Sequence, residues 1–168
     1  LSDYNFSVDI TPMNDPLPAD DRNDVGIMFR YQDNNNYYRL SFSSANSYAR
    51  LEKRLGGNFV TLATSARGYR DEQPFKLAVN VSGDLIQISL GTDPIFAVRD
   101  TSLSTGSIAL YSQDRVKFDN VVIDVSDPNP TVVIASPLAH SVAVGGALTA
   151  TAAVTNFPSG GDIEFELG

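Results

Sequence analysis

Apolar and polar residues alternate in short runs along the first part of the chain, and glycine, proline, asparagine or serine breaks the runs about every ten residues. Neighbouring side chains on a strand point to opposite faces, so each run puts one apolar set on one side. No window sustains the i, i+3, i+4, i+7 pattern of an amphipathic helix. The alternation predicts strands over 4–10, 25–31, 37–43, 48–54, 58–63, 75–81, 85–90, 92–98, 106–111 and 116–125. That is too many for one open sheet and suits two stacked ones, so the fold class expected is an all-β sandwich.

The segment from Val25 to Leu55 stands out. Two runs flank the polar stretch Gln32-Asp33-Asn34-Asn35-Asn36, read as a five-residue hairpin loop, and a third follows a Ser/Asn-rich turn. Parity sends Ile27, Phe29, Tyr38, Leu40 and Leu51 to the core. It sends Arg30, Tyr37, Arg39, Tyr48, Arg50 and Glu52 to the other face of three consecutive strands. Folding requires one apolar face but no arginines and tyrosines on the second. Tyrosine rings stack on sugar rings, while Arg and Glu make bidentate or charge-assisted bonds to vicinal hydroxyls. These six residues are the candidate ligand-binding set. Covering an exposed sheet and pairing across strands is the plainer role for them.

Charge places a boundary. All the Lys and Arg and all the Tyr precede Asp127, after which come acids and no base. The expected organisation is a first domain over 1–126, a stiff linker over 127–130 (Asp127-Pro128-Asn129-Pro130), and a tail over 131–168. In the tail TVVIASP, HSVAVGGALTATAAVT and DIEFEL read as the opening strands of an immunoglobulin-like sandwich, too short to complete one.

The net charge of −8 argues against a nucleic-acid partner, and no apolar run is long enough to insert in a membrane. Absence of Cys excludes disulfides and thiolate-bound metals. With few Lys and a low pI, the composition suits a secreted or surface bacterial protein; the chain, opening on Leu1, reads as a piece of a larger one joined to neighbouring domains.

Catalytic signals are weak. His140, the single histidine, lies in the tail, and no G-x-S-x-G motif is present. Glycosidases need two carboxylates roughly 5–10 Å apart. The first domain has only Glu52 and Glu72 as glutamates, with no E-x-D-x-x-E arrangement. Acids at Asp15, Asp20, Asp21 and Asp24 lie in a proline-containing loop whose spacing does not match a calcium loop. They read as a solvated rim of a cleft.

Three pieces in order, GIMFRYQDNNNYYRL, FKLAVNVSGDLIQISLG and GSIALYSQDRVKFDNVVI, resemble the concanavalin A-like, laminin-G-like jelly rolls of secreted bacterial glycan-degrading systems. Among these the chain is similar to levan-binding carbohydrate-binding modules and to the 3-keto-disaccharide hydrolase-like sandwich. The tail resembles bacterial Ig-like modules. The jelly-roll resemblance implies a further strand before Tyr4 that pairs with the C-terminal strand. It also implies a structural calcium near that last strand, with Asp119 as metal ligand and Asp3 as a candidate partner. The function expected is non-catalytic binding of a polysaccharide or oligosaccharide on a concave sheet. The alternatives are a glycan-active hydrolase or lyase using the same cleft, and a structural or adhesive spacer.

Overall fold

Ten strands form where the alternation predicts them, in a computed structural model that describes residues 1–14, 24–125, 131–136 and 151–155. They are β1 (Tyr4–Pro12), β2 (Asp24–Asp33), β3 (Asn36–Ser43), β4 (Tyr48–Leu55), β5 (Asn58–Ser65), β6 (Phe75–Ser82), β7 (Leu85–Leu90), β8 (Asp93–Arg99), β9 (Ser107–Ser112) and β10 (Val116–Val125). All pair antiparallel in two five-stranded sheets. The first has the order β10-β1-β6-β7-β8 and the second β5-β4-β3-β2-β9, which together make a jelly-roll β-sandwich.

The inward halves of the alternating runs meet between the sheets. Tyr4, Phe6, Val8 and Ile10 of β1 pack with Leu77, Val79 and Val81 of β6 and Ile86 and Ile88 of β7. The second sheet contributes Val25, Ile27, Phe29, Tyr38, Leu40, Phe42 and Leu51. Burial of each large aliphatic or aromatic side chain contributes about 1.5–3 kcal/mol, which makes this layer the main source of stability.

Three expectations change. The partner of the C-terminal strand is β1 itself: Tyr4 pairs with Val125 and Ile10 with Phe118. The predicted five-residue loop shrinks to a turn at Asn34-Asn35, because Asp33 and Asn36 already pair across the hairpin. The Asp33 carboxylate accepts from the Asn35 N–H at 2.6 Å and from Asn36 Nδ2 at 3.0 Å, which holds the turn closed.

The third change matters most for function. The β2 register shifts between Phe29 and Asp33, and Arg30 sits there at φ +46°. A bulge adds a residue and reverses the parity beyond it. Arg30, expected on the outward face, therefore turns into the end of the sandwich, where it is 1% exposed. Its guanidinium donates to the carbonyls of Leu103 (2.9 Å), Ser2 (3.0 Å) and Gly83 (2.6 Å). Arg30 thus ties the N-terminal segment, the β6–β7 turn and the β8–β9 loop together. Gly106 packs on its backbone, where a Cβ would lie 2.3 Å from the Arg30 carbonyl carbon.

Beside it, Asp100 accepts from Lys53 Nζ (2.6 Å), Tyr38 Oη (2.7 Å) and the Ser102 N–H (2.9 Å). Burial opposes the charge, but those hydrogen bonds outweigh it and hold the carboxyl well below the usual range. A depressed folded-state pKa contributes stability above the unfolded value of about 3.9 and loses it as pH falls through the folded one. Thermal midpoints should therefore drop below about pH 4, and Asp100→Asn should flatten that acid limb while lowering the neutral-pH midpoint.

Residues divide into two compact units, Leu1–Ser126 and Asp127–Gly168. In the second, β11 (Thr131–Ser136) and β12 (Thr151–Thr155) pair antiparallel, with Thr131 opposite Thr155. The expected linker over 127–130, the strand over 162–167, His140, and Asp15, Asp20 and Asp21 lie outside the described residues. Among the described residues no helix is long and apolar enough to cross a membrane.

Candidate functional site

The outward face of the second sheet gathers most of the residues singled out by parity. Cross-strand register sets them in rows. Tyr111, Gly26, Ser41 and Arg50 form one, with Thr64 on β5. Ala109, Met28, Arg39, Glu52 and Thr61 form the next, and Ser107, Tyr31, Tyr37, Arg54 and Phe59 the third. Side chains in adjacent rows of one face are close enough to interact, which turns separate strands into one surface.

Glu52 is its electrostatic centre. Only 5% exposed, it accepts from Arg39 at 2.7 Å and lies 3.5 Å from Arg50, so one carboxylate holds two guanidiniums. Arg39 also donates to Tyr111 Oη at 3.4 Å and lies over the rings of Phe59 (4.6 Å) and Tyr111 (5.2 Å). Burial works against its charge, yet the Glu52 hydrogen bond keeps the guanidinium pKa raised overall. Arg50 stacks on Tyr48 at 4.1 Å. The Tyr48 hydroxyl reaches both Asp24 oxygens (2.8 and 2.9 Å). Burial, then the hydrogen bond to that carboxylate, pushes its pKa up to about 12, so it stays a protonated donor at neutral pH.

Two polar atoms in the floor have no partner among the described residues. Arg39 Nε and Ser41 Oγ are both buried without a hydrogen bond, and Ser41 is fully covered. Buried polar atoms are normally satisfied, so each such exception calls for an explanation. Ser41 lies opposite Gly26 and Arg39 in the adjacent row; a Cβ on Gly26 would lie 2.0 Å from the Leu40 carbonyl oxygen. Only glycine allows this approach, and it leaves no side chain between Tyr111 and Ser41.

Of the six predicted residues, five share this face: Tyr37, Arg39, Tyr48, Arg50 and Glu52. Arg30 does not, for the reason given above. Tyr31 takes the outward place instead and stacks on Tyr37 at 5.7 Å. Asp24, Ser41, Arg54, Phe59 and Tyr111 join the surface unannounced. Ser41 and Arg54 share the parity of Arg39 and Glu52, so alternation could have included them. Phe59 and Tyr111 belong to edge strands whose partners no local pattern reveals.

Other candidates look different. Asp119 bonds Lys117 at 2.9 Å, and the strand register sets Asp9 opposite it rather than Asp3, which lies some 20 Å along β1. Asp3 instead accepts from the Gly83 N–H at 3.0 Å. Among the described residues no three acidic, His or Cys side chains form a group that could hold a metal. A cavity of about 630 Å³ opens on the outer face of the first sheet, lined by Asn5, Ser7, Asn80, Gln87, Ser89 and Asp124 among others. The aromatic residues in its wall, Phe6 and Phe96, are buried in the core, so no exposed ring is offered there.

No protein-family model matches the sequence, and neither does any curated protein. Solved structures do match. A carbohydrate-binding module, CBM66 from Bacillus subtilis, superposes with a TM-score of 0.65 at 22% identity over 73% of this chain and 75% of that one. Sheep galectin-11 matches with a TM-score of 0.56 at 11% identity, covering 73% of this chain and 90% of that one. The GH43 protein BlXynB from Bacillus licheniformis matches with a TM-score of 0.55 at 15% identity, covering 74% of this chain but 28% of that one. At these identities the likeness is one of fold, and the fold is the jelly-roll β-sandwich that carbohydrate-binding modules and galectins share with this chain.

Proposed function

We propose that the outward face of the second sheet binds a carbohydrate chain without cleaving it. The observation that carries this reading is the way the face is held in place: Glu52 fixes Arg39 and Arg50, and Asp24 fixes the Tyr48 hydroxyl, beside the rings of Tyr48, Phe59 and Tyr111. Guanidinium N–H groups and tyrosine hydroxyls set in fixed positions bond the hydroxyls of a ligand without having to be ordered first. The rings of Tyr31, Tyr48, Phe59 and Tyr111 supply apolar faces for sugar C–H groups, and the buried Tyr37 backs Tyr31 from beneath. Glu52 and Asp24 offset two of the three guanidiniums on the face, Arg39, Arg50 and Arg54, so the face suits a hydroxyl-rich ligand of low charge.

The fold likeness to a carbohydrate-binding module and to galectins supports the reading, as does the occurrence of the same sandwich as a minor part of a longer GH43 protein. A module of a secreted or surface bacterial protein, linked to further domains, is the setting proposed. Shallow faces of this kind bind weakly per site and gain from multivalency.

A glycan array run with the intact chain, followed by product analysis of each hit, tests this. Retention of a glycan of low charge with no released sugar is expected; turnover would favour the hydrolase or lyase reading. Running the array with calcium and with a chelator tests the ion proposed at Asp119. Its carboxylate already pairs with Lys117, so a bound ion would have to displace that ammonium.

A further inference from the structure

One end of the proposed ligand face is built differently from its middle. Glu52 accepts from Arg39 at 2.7 Å and lies 3.5 Å from Arg50, so the two central guanidiniums share one carboxylate. Arg54, the third guanidinium of the face, stands further along β4, in the row of Tyr37 and Phe59. It is half-buried there, and among the described residues no acid lies within ion-pair distance of it.

Arg54 is nonetheless held in position. Its Nε donates to the Gly57 carbonyl at 3.1 Å, and its guanidinium lies over the Phe59 ring at 5.1 Å. The acceptor is itself fixed, because Gly56 and Gly57 form the β4–β5 turn at φ +56° and +86° and that turn is tied to the one between β2 and β3. The Gly57 N–H donates to Asn35 O at 3.1 Å, and the Gly56 N–H to Asn36 Oδ1 at 3.0 Å. Asp33, the acid of that neighbouring turn, is already occupied by the Asn35 N–H and the Asn36 amide. With Nε engaged by Gly57, the two terminal nitrogens of Arg54 make no hydrogen bond among the described residues. Two parallel N–H groups on a planar guanidinium match the two oxygens of a carboxylate.

From this placement we infer that Arg54 receives a carboxylate of the ligand: the glycan carries a uronic acid unit at the turn end of the face and uncharged units over Arg39 and Arg50. The inference rests on the carbohydrate reading of this face given above. One acid per site fits the charge balance. Glu52 and Asp24 already offset two of the three guanidiniums, and would repel a chain charged at every unit. The centre of the face then supplies affinity for hydroxyls, while Arg54 selects among glycans by the acid it finds. A glycan without that acid leaves the guanidinium to water and forgoes the pair.

The test uses the full chain on an array of uronate-containing oligosaccharides, each beside its carboxyl-reduced counterpart, with sulfated glycans as a further set. The readout is the affinity ratio within each retained pair, for the native chain, Arg54→Gln and Arg54→Lys, with unfolding midpoints measured alongside. The native chain should favour the acid by about fivefold or more. That ratio should fall to about one in Arg54→Gln and to an intermediate value in Arg54→Lys, which keeps the charge but not the fork. It should also shrink as salt is raised, since the pair is only half-buried. A native chain that binds acid and reduced forms alike overturns the inference and leaves carbohydrate binding standing. So does a preference for the acid that survives Arg54→Gln, or a preference for sulfated glycans over every uronate. Retention of no glycan, acidic or reduced, overturns the carbohydrate reading and this inference together.

Discussion

Replacing Arg30 with Met should lower the stability of the first unit by about 3 kcal/mol, a drop of about 10 °C in the unfolding midpoint. The side chain is 1% exposed and its guanidinium is the shared donor for three carbonyls from separate segments. Methionine fills much of the space but leaves the Ser2, Gly83 and Leu103 carbonyls without that donor. Each orphaned acceptor costs about 1–3 kcal/mol when fully buried, and less for Ser2 and Gly83, which are only partly covered. Lysine should recover little, because a point charge on a flexible stem cannot reproduce the planar fork. Arg67→Ala, at an exposed pair 3.7 Å from Asp93, is the control and should change stability by less than about 0.5 kcal/mol. Glycan affinity per folded molecule should be unchanged in Arg30→Met. A selective loss of affinity without loss of stability would return Arg30 to the ligand face.

Glu52→Gln should weaken binding strongly. Glutamine keeps the shape but removes the charge that holds Arg39 at 2.7 Å and Arg50 at 3.5 Å. Both guanidiniums then lose their fixed positions, and Arg39 is left as a largely covered charge without a counter-ion. Loss of a hydrogen-bonded charge pair at such a site costs about 2 kcal/mol or more in affinity, roughly 30-fold. Stability should fall by about 1–2 kcal/mol, as expected when a charged hydrogen bond is removed from a mostly buried site. A double-mutant cycle with Arg39→Ala should show that the two effects are not additive. Additive losses would mean that Glu52 does not position Arg39.

Period-2 alternation was enough to locate all ten strands of the first unit and to sort Ile27, Phe29, Tyr38, Leu40 and Leu51 into the core, because a half-buried sheet leaves that imprint on every strand. What alternation could not show is where it breaks. The bulge at Arg30 reverses parity without any proline or glycine to mark it, and so exchanged Arg30 for Tyr31 on the outward face of the second sheet. Nor does alternation say which strands lie side by side. Phe59 and Tyr111 reach Arg39 from β5 and β9, contacts that depend on the whole sheet order. Asp24 read as a loop acid because its partner, Tyr48, is separated from it by an entire hairpin. The partnerless Arg39 Nε and Ser41 Oγ are properties of packing, and no sequence pattern announces them.

Two faces of the sandwich compete for the ligand: the Arg/Tyr face of the second sheet, and the amide-lined cavity of about 630 Å³ on the first. Calorimetric titration of a glycan retained on the array, against paired variants of the two faces, separates them most directly. Arg39→Ala and Arg50→Ala should abolish measurable binding while the fold persists, and Asn80→Ala and Gln87→Ala should leave affinity unchanged. Loss of binding in the second pair with retention in the first would contradict the account.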